Sequence, residues 1–284
     1  MNDTSFAVQT HVYFKKLFRI ALRENSWKYL VFAAIISSIV ALITGPDMFA
    51  NFDCTNSGFF TLASACIWIG IFNSIQSICK EHEIIRAEYR QGMKMSSYVA
   101  AHVLWQALLC LAQTIVIFII CCIFMKFDKS PAHLLISVYV ENFITIYLLT
   151  FGAAVLGLMI SSISSTPTTA MTIMPFVLIV QLVMSGVLFS LSGASEAFSY
   201  ITLSKWGMSA FGCECDLNSI PTGVQQALAK SPETQMITIS NAMASDFYKP
   251  EVIRLLAAWG ACILITAFNI AASIVALKLR NKDS

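Results

Sequence analysis

Between Cys79 and Tyr98 the sequence reads CKEHEIIRAEYRQGMKMSSY, which holds seven of the chain's 34 charged side chains (18 basic, 16 acidic) between long apolar stretches. Acids and bases interleaved in this way can pair with one another, meet lipid phosphates, or dock on a partner of complementary charge. Placed on a helix, Glu83, Arg86, Arg90 and Lys94 fall at i, i+3, i+7 and i+11, one stripe, while Ile84, Ile85 and Tyr89 occupy another face. Two like-charge steps lie on that stripe, Arg86 to Arg90 and Arg90 to Lys94, and each costs a few tenths of a kcal/mol in an isolated helix. Something acidic has to compensate them: Glu83 and Glu88 in part, and lipid phosphates or a docked cytoplasmic protein for the rest. An ordinary loop that only sets topology explains the bases, but not Glu81, His82, Glu83 and Glu88 interleaved with them. Gly92 then reads as a helix stop, and Ser96-Ser97-Tyr98 as a restart from a Ser cap.

Other residues with chemical potential are few. Glu141 is the one acid well inside an apolar stretch, where an ionised carboxylate at mid-membrane costs about 2.5 to 3.5 kcal/mol on insertion scales. It is a candidate polar contact in a transport pathway or a partner for Lys126 or Lys129; the plainer reading is that it snorkels to the headgroups or stays neutral. His102 and His133 lie near opposite faces, and no His pair shares a helical face with a carboxylate at ligand spacing. No Ser or Cys sits in a nucleophile motif either, so no catalytic residue and no metal site is assigned. The sequence has no G-x-x-x-x-G-K-[ST] phosphate loop, hence no site here for ATP hydrolysis. Six of the nine cysteines (Cys66, Cys79, Cys110, Cys121, Cys122 and Cys262) fall in apolar stretches, where a thiol packs as a small apolar group.

The elements that must position these residues follow from composition. With 57% hydrophobic residues, 12% charged residues and a mean hydropathy of +0.72, the chain has more apolar surface than a water-soluble globule can bury, and it is expected to be an all-α membrane protein. Six stretches meet or approach the roughly 20 residues of a helical span: Trp27 to Thr44, Phe59 to Cys79, Ser97 to Met125, Leu134 to Ile160, Ala170 to Leu191, and Val252 to Leu277. They are continuously apolar rather than alternating, which excludes a barrel. Most Lys and Arg, from Lys15 to Lys28, Lys80 to Lys94 and Lys278 to Lys282, fall on one side. Both termini and the charged run are therefore expected in the cytoplasm. The net charge of +2 gives no support for nucleic-acid binding.

A single permease domain over 1–284 is expected. His11 to Trp27 mixes apolar and basic residues and suits an interfacial elbow helix, with no cleavable signal peptide. Gly45 to Gly58 reads as a short turn-rich outer loop, and Ser161 to Ala170 as a small polar turn that makes spans 4 and 5 a tight pair. Residues 192–250 form an outer segment too long for a connector, whose first half, with Phe198, Tyr200, Ile201, Leu203, Trp206, Met208 and Phe211, can dip back into the membrane interface. Residues 251–284 hold span 6 and a cytoplasmic tail.

Three runs resemble a known family. KEHEIIRAEYRQGMKMSSYVAA (Lys80 to Ala101) is similar to the cytoplasmic segment between transmembrane helices 2 and 3 of second-type ABC exporter permeases, the White and pleiotropic-drug-resistance group. Gly157 to Gly193, with Pro175 and the Ser185-Gly186 pair, resembles the family's helix 4 to helix 5 stretch. Leu203 to Asn218 resembles the re-entrant outer segment of its bacterial members. The three cover roughly a quarter of the chain.

The resemblance implies a fold of six transmembrane helices with a re-entrant outer segment between helices 5 and 6, in a bacterial cell membrane. It also implies a stand-alone permease, with ATP and Mg bound not by this chain but by a separate ABC ATP-binding subunit, and a second permease copy or homologue completing a dimer in membrane lipid. Glu81, Glu83, Arg86, Glu88 and Arg90 would form the docking surface for the ATP-binding subunit. Ile69, Asn73, Ile179 and Leu182 would line the substrate pathway, with Val187 and Leu188 as its upper gate, and the cargo would be apolar or amphipathic. Core packing accounts for those six equally well. Related exporters form disulfides in the outer region, so Cys54, Cys213 and Cys215 are candidates for one bridge plus a free thiol. The alternative function, an ion-coupled secondary transporter, would rest on Glu141 alone.

Overall fold

A computed structural model describes residues 5–24, 26–125, 134–135, 137–189, 191–222 and 246–282. All regular structure among them is helical. Helix α1 (Phe6–Arg23) packs on the long helix Met95–Phe124, burying Thr10 and Ala21. It exposes Val8, Val12, Phe18 and Leu22 beside Lys15, Arg19 and Arg23, a mixed surface suited to the headgroup layer. Helix α2 (Trp27–Thr44) follows with the limits the sequence predicts.

The expected outer loop Gly45 to Gly58 is instead largely helical. A 3₁₀ turn, Gly45–Asp47, leads into helix α3 (Phe52–Ser74). Asn51 caps it by accepting from the backbone N–H of Cys54 at 2.9 Å, and the Thr55 hydroxyl donates to the carbonyls of Met48 and Asn51. Polar residues that read as a loop are thus satisfied by a capped first turn.

A 3₁₀ turn, Cys79–Glu81, and the short helix α4 (His82–Arg90) carry the charged run, after which α5 (Met95–Phe124) returns through the bundle. Helix α6 (Val138–Ile163) follows, and the turn Ser164 to Thr166 connects it to α7 (Pro167–Val183), with the Thr166 hydroxyl accepting from Thr169 N–H and proline at the first helical position. The turn is short as predicted, but α6 packs chiefly on α3, and α7 touches it only peripherally. Helix α7 also stops at Val183 rather than running to Leu191: Ser185 Oγ donates to the Leu182 carbonyl, and Gly186 takes a φ of 80°. Its 17 residues span about 25 Å, short of a hydrocarbon core of about 30 Å.

The outer segment holds α8 (Ala194–Ser199) and α9 (Leu203–Glu214) before the long final helix α10 (Val252–Lys282). Helix α9 is sunk among α3, α6, α7 and α10. Its Leu203, Met208 and Phe211 are buried, while Phe198, Tyr200 and Ile201 just ahead of it stay exposed. Phe211 stacks on Phe59 of α3 with ring centroids 4.9 Å apart.

The core centres on α3 and α6. Gly70 lies against the Thr150 carbonyl and Ala153, and Gly157 against Ser74 and Ile71, so close that no Cβ would fit at either glycine. Small residues let two backbones touch where lipid supplies no hydrophobic drive between helices. Among the described residues five helical stretches are long and apolar enough to cross a membrane (Trp27–Thr44, Phe52–Arg90, Met95–Phe124, Val138–Ile163 and Val252–Arg280), and α7 is a shorter apolar sixth.

Candidate functional site

Helix α4 is built to be held from behind. Its base is fixed to α6, where Ser161 Oγ accepts from the N–H groups of Ile78 at 3.0 Å and Cys79 at 3.1 Å. Its end is set by Gly92 at φ 99°, a left-handed turn that lets Gly92 N–H reach the Tyr89 carbonyl and Met93 N–H that of Glu88. The restart is not from a serine cap. Lys94 is the N-cap residue, its N–H is taken by Gln9 Oε1 of α1 at 2.9 Å, and Ser97 Oγ donates to the Phe6 carbonyl at 3.3 Å. Because α4 ends at Arg90, Lys94 is not on the α4 stripe that the sequence predicts.

The five predicted docking residues divide into two sets. Glu81 accepts from the Tyr98 hydroxyl at 2.9 Å and pairs with Lys16 Nζ of α1 at 3.5 Å. Glu88 accepts from the Tyr13 hydroxyl at 3.0 Å, and the Tyr13 ring meets Tyr98 edge-on at 5.6 Å. Burial and the Glu88 carboxylate together hold the Tyr13 phenol well above its ordinary pKa, so it stays a donor. These acids therefore brace α4 against α1 and α5. Glu83, Ala87 and Arg90 are exposed on one stripe and Ile84, 48% exposed, lies beside it, while Ile85 is fully buried. The expected apolar face of Ile84, Ile85 and Tyr89 is thus split. Arg86 is half-buried. Burial, then the guanidiniums of Arg280 and Arg86, lowers the pKa of His82. Arg280 itself donates to the carbonyls of Ser164 at 2.6 Å and Ser162 at 3.4 Å, capping the negative end of α6.

The predicted substrate-pathway residues do not share one surface. Ile69 and Asn73 are buried inside the chain, and Asn73 forms a reciprocal amide pair with Gln113 of α5, Nδ2 to Oε1 at 2.6 Å and Nε2 to Oδ1 at 3.1 Å. Leu182 and Val187 are half-buried, and Ile179 and Leu188 are more than half exposed. The stripe of α3 left open is Ser57, Thr61, Ser64 and Trp68, and that of α7 is Thr172, Phe176, Ile179 and Val180.

Glu141 does not snorkel: it is 1% exposed, and its carboxylate accepts from the N–H groups of Leu134 and Leu135, the latter at 2.6 Å. Lys126, Lys129 and His133 lie outside the described residues. A second buried acid, Glu214 of α9, lies near Glu141; it accepts from the Thr145 hydroxyl, which in turn accepts from Trp259 Nε1–H at 2.8 Å. Sequence reasoning missed it because Glu214 belongs to a stretch rich in polar residues and glycine. The only signal was its place in the third family-like run. Cys54, Cys213 and Cys215 are free thiols. The bridge is not formed: the Cys213 thiol donates to the Phe247 carbonyl at 3.1 Å, and Cys215 is buried against the Gly212 carbonyl.

Comparison with known proteins bears on this arrangement. A family model described as ABC-2 type transporter matches residues 8–211, from α1 into α9. An ABC transporter ATP-binding/permease protein of Mycobacterium tuberculosis is 24% identical over 159 residues, 55% of this chain but 18% of that protein. The chain thus spans less than a fifth of that relative's length.

Proposed function

This chain belongs to the ABC-2 type transporter family, and from that membership we propose that it is the permease subunit of an ATP-driven exporter whose α4 docks on a separate ATP-binding subunit. It is a multi-pass membrane protein. In the proposed arrangement α2, α3, α5, α6, α7 and α10 are six spans, α9 is the re-entrant segment, and both termini and α4 face the cytoplasm. ATP and Mg belong to the partner. A second copy or homologue completes a pathway along the open stripes of α3 and α7, and an apolar or amphipathic cargo leaves the cytoplasm.

One observation supports the docking role: Glu81 and Glu88 are committed to α1 and α5, while Glu83, Ala87 and Arg90 form an exposed stripe of α4 with Ile84 exposed beside it. An exposed stripe carrying opposite charges, with an apolar side chain beside it, suits a protein groove. A helix braced from behind transmits a push to the bundle instead of bending.

Arg90→Glu or Ile84→Asp is expected to abolish substrate-stimulated ATP hydrolysis by the reconstituted complex while insertion and thermal stability stay normal. Normal stimulation in both variants refutes the docking role. The buried pair Glu141 and Glu214 favours one rival, ion-coupled transport, which predicts flux in vesicles given an ion gradient and no nucleotide. The ATP-driven reading forbids that flux.

A further inference from the structure

A cleft of about 580 Å³ opens between α1, α2, α3 and α5 on the α4 side of the bundle. Its wall combines apolar Leu17 and Ile20 of α1, Phe72 of α3, and Trp105 and Leu109 of α5 with the polar side chains of Asn73, Gln76 and Ser77. Its mouth carries Lys28 at the start of α2 and Lys80 just ahead of α4, and neither forms an ion pair with a described residue. His102 of α5 lines the same cleft. It is 2% exposed, its ring lies 4.6 Å from Tyr98, and neither ring nitrogen has a hydrogen-bond partner among the described residues.

A buried imidazole whose N–H has no acceptor is destabilising. Such a group inside a cleft calls for something polar to enter it. The entrant must also satisfy two ammonium groups at the rim and a partly apolar wall running about 10 Å deeper, from His102 to Leu109 along α5. A long-chain amphiphile with an anionic head meets all three demands. Glu24 also stands at the rim, and Glu81, which lines the cleft too, is already taken by Tyr98 and Lys16. A free carboxylate at the rim disfavours a doubly charged phosphate monoester and leaves room for a singly charged phosphodiester.

The roof of the cleft is α1, whose exposed side presents Val8, Val12, Phe18 and Leu22 beside Lys15, Arg19 and Arg23. A helix with that surface lies in the headgroup layer, which puts the mouth of the cleft at headgroup depth and the apolar part of its wall at acyl-chain depth. We propose that this cleft binds an anionic phospholipid of the cytoplasmic leaflet, with its phosphodiester between Lys28, Lys80 and the His102 N–H and its upper acyl chains against Phe72, Trp105 and Leu109. Only the choice of leaflet rests on the orientation proposed above.

Native mass spectrometry of the purified full-length chain tests this with three probes: dioleoyl phosphatidylglycerol, dioleoyl phosphatidylcholine, and glycerol 3-phosphate. The expected result is one phosphatidylglycerol retained per chain, about tenfold more tightly than phosphatidylcholine, and no retention of glycerol 3-phosphate. In Lys28→Gln/Lys80→Gln, both exposed positions, the preference for phosphatidylglycerol is expected to vanish. His102→Phe should weaken retention, and His102→Gln should restore it.

Equal retention of the two lipids by the unaltered chain, or an unchanged preference in the double lysine variant, overturns the proposal. Retention of glycerol 3-phosphate as strong as that of phosphatidylglycerol overturns it too, because the site would then belong to a soluble phosphate ester. If His102→Phe does not fold, the lysine pair decides. The assay needs neither nucleotide nor partner, so its failure and a failure of the ATP-driven reading are separate results.

Discussion

At the scale of single residues, the charged run is two surfaces on one short helix. Tyr13 and Lys16 of α1 reach across to Glu88 and Glu81, and each contact joins elements more than sixty residues apart in sequence. A half-buried phenol donating to a carboxylate is a charge-assisted bond, and removing the hydroxyl costs roughly 1.5 kcal/mol. Tyr13→Phe keeps the ring contact with Tyr98 and loses only that bond. It is expected to lower the thermal midpoint slightly and to cut partner-stimulated ATP hydrolysis by more than half, measured on the reconstituted complex. Full stimulation in this variant would show that the brace is not needed for transmission. The sequence displayed these charges on a periodic stripe, but periodicity assigns a residue to a stripe of its own helix and says nothing of what stands opposite. The division of Glu81 and Glu88 from Glu83 and Arg90 depends on α1 folding back over α4, and no pattern within the run encodes that.

At the scale of elements, α3 is held twice: by backbone contact with α6 at Gly70 and Gly157, and by the Asn73–Gln113 amide pair with α5. Gln113 also donates to the Tyr29 carbonyl at 3.1 Å, which extends the network to α2. Breaking one side of a buried amide pair strands the other, whereas removing both is far milder. Asn73→Leu or Gln113→Leu alone is expected to cost about 1–3 kcal/mol in thermal or chemical denaturation, and the double variant less than their sum by at least about 1 kcal/mol. Additive losses would remove the pair from the account.

The family resemblance implied a place for Asn73 in a transport pathway, and in this structure its side chain is buried in the amide pair with Gln113. The ends of α3 and α7 were misread from composition alone. Polar residues near Asn51 are absorbed by a cap, and the apolar run after Val183 continues in composition while the backbone turns at Ser185 and Gly186.

At the scale of the whole molecule, the family, the all-helical class and the multi-span character were legible in hydropathy and in three short runs. The internal filling was not. Helix α9 lies in the stretch read as dipping back toward the membrane, and it packs among α3, α6, α7 and α10 with Glu214 near Glu141, partners that the composition of the segment does not give. A carboxyl group there depends on the Thr145–Trp259 chain for its bonds. Glu214→Gln keeps an acceptor and is expected to express and insert normally. Glu214→Leu leaves Thr145 without its acceptor, and Glu214→Lys buries an unpaired cation; both are expected to reduce the yield of folded protein severalfold by size-exclusion profile. A normal profile for Glu214→Lys would mean that this region is open to water.

The C-terminal end of α6 takes the backbone of Ile78 and Cys79 on the Ser161 hydroxyl and the Arg280 guanidinium on the carbonyls of Ser162 and Ser164. One practical rule for handling this protein follows. A purification handle or fluorescent reporter spliced directly behind Arg280 is expected to strain its contacts with Ser162 and Ser164, next to the Ser161 hydroxyl that seats the charged run. Labels there belong on a long spacer that leaves the Arg280 contacts unloaded.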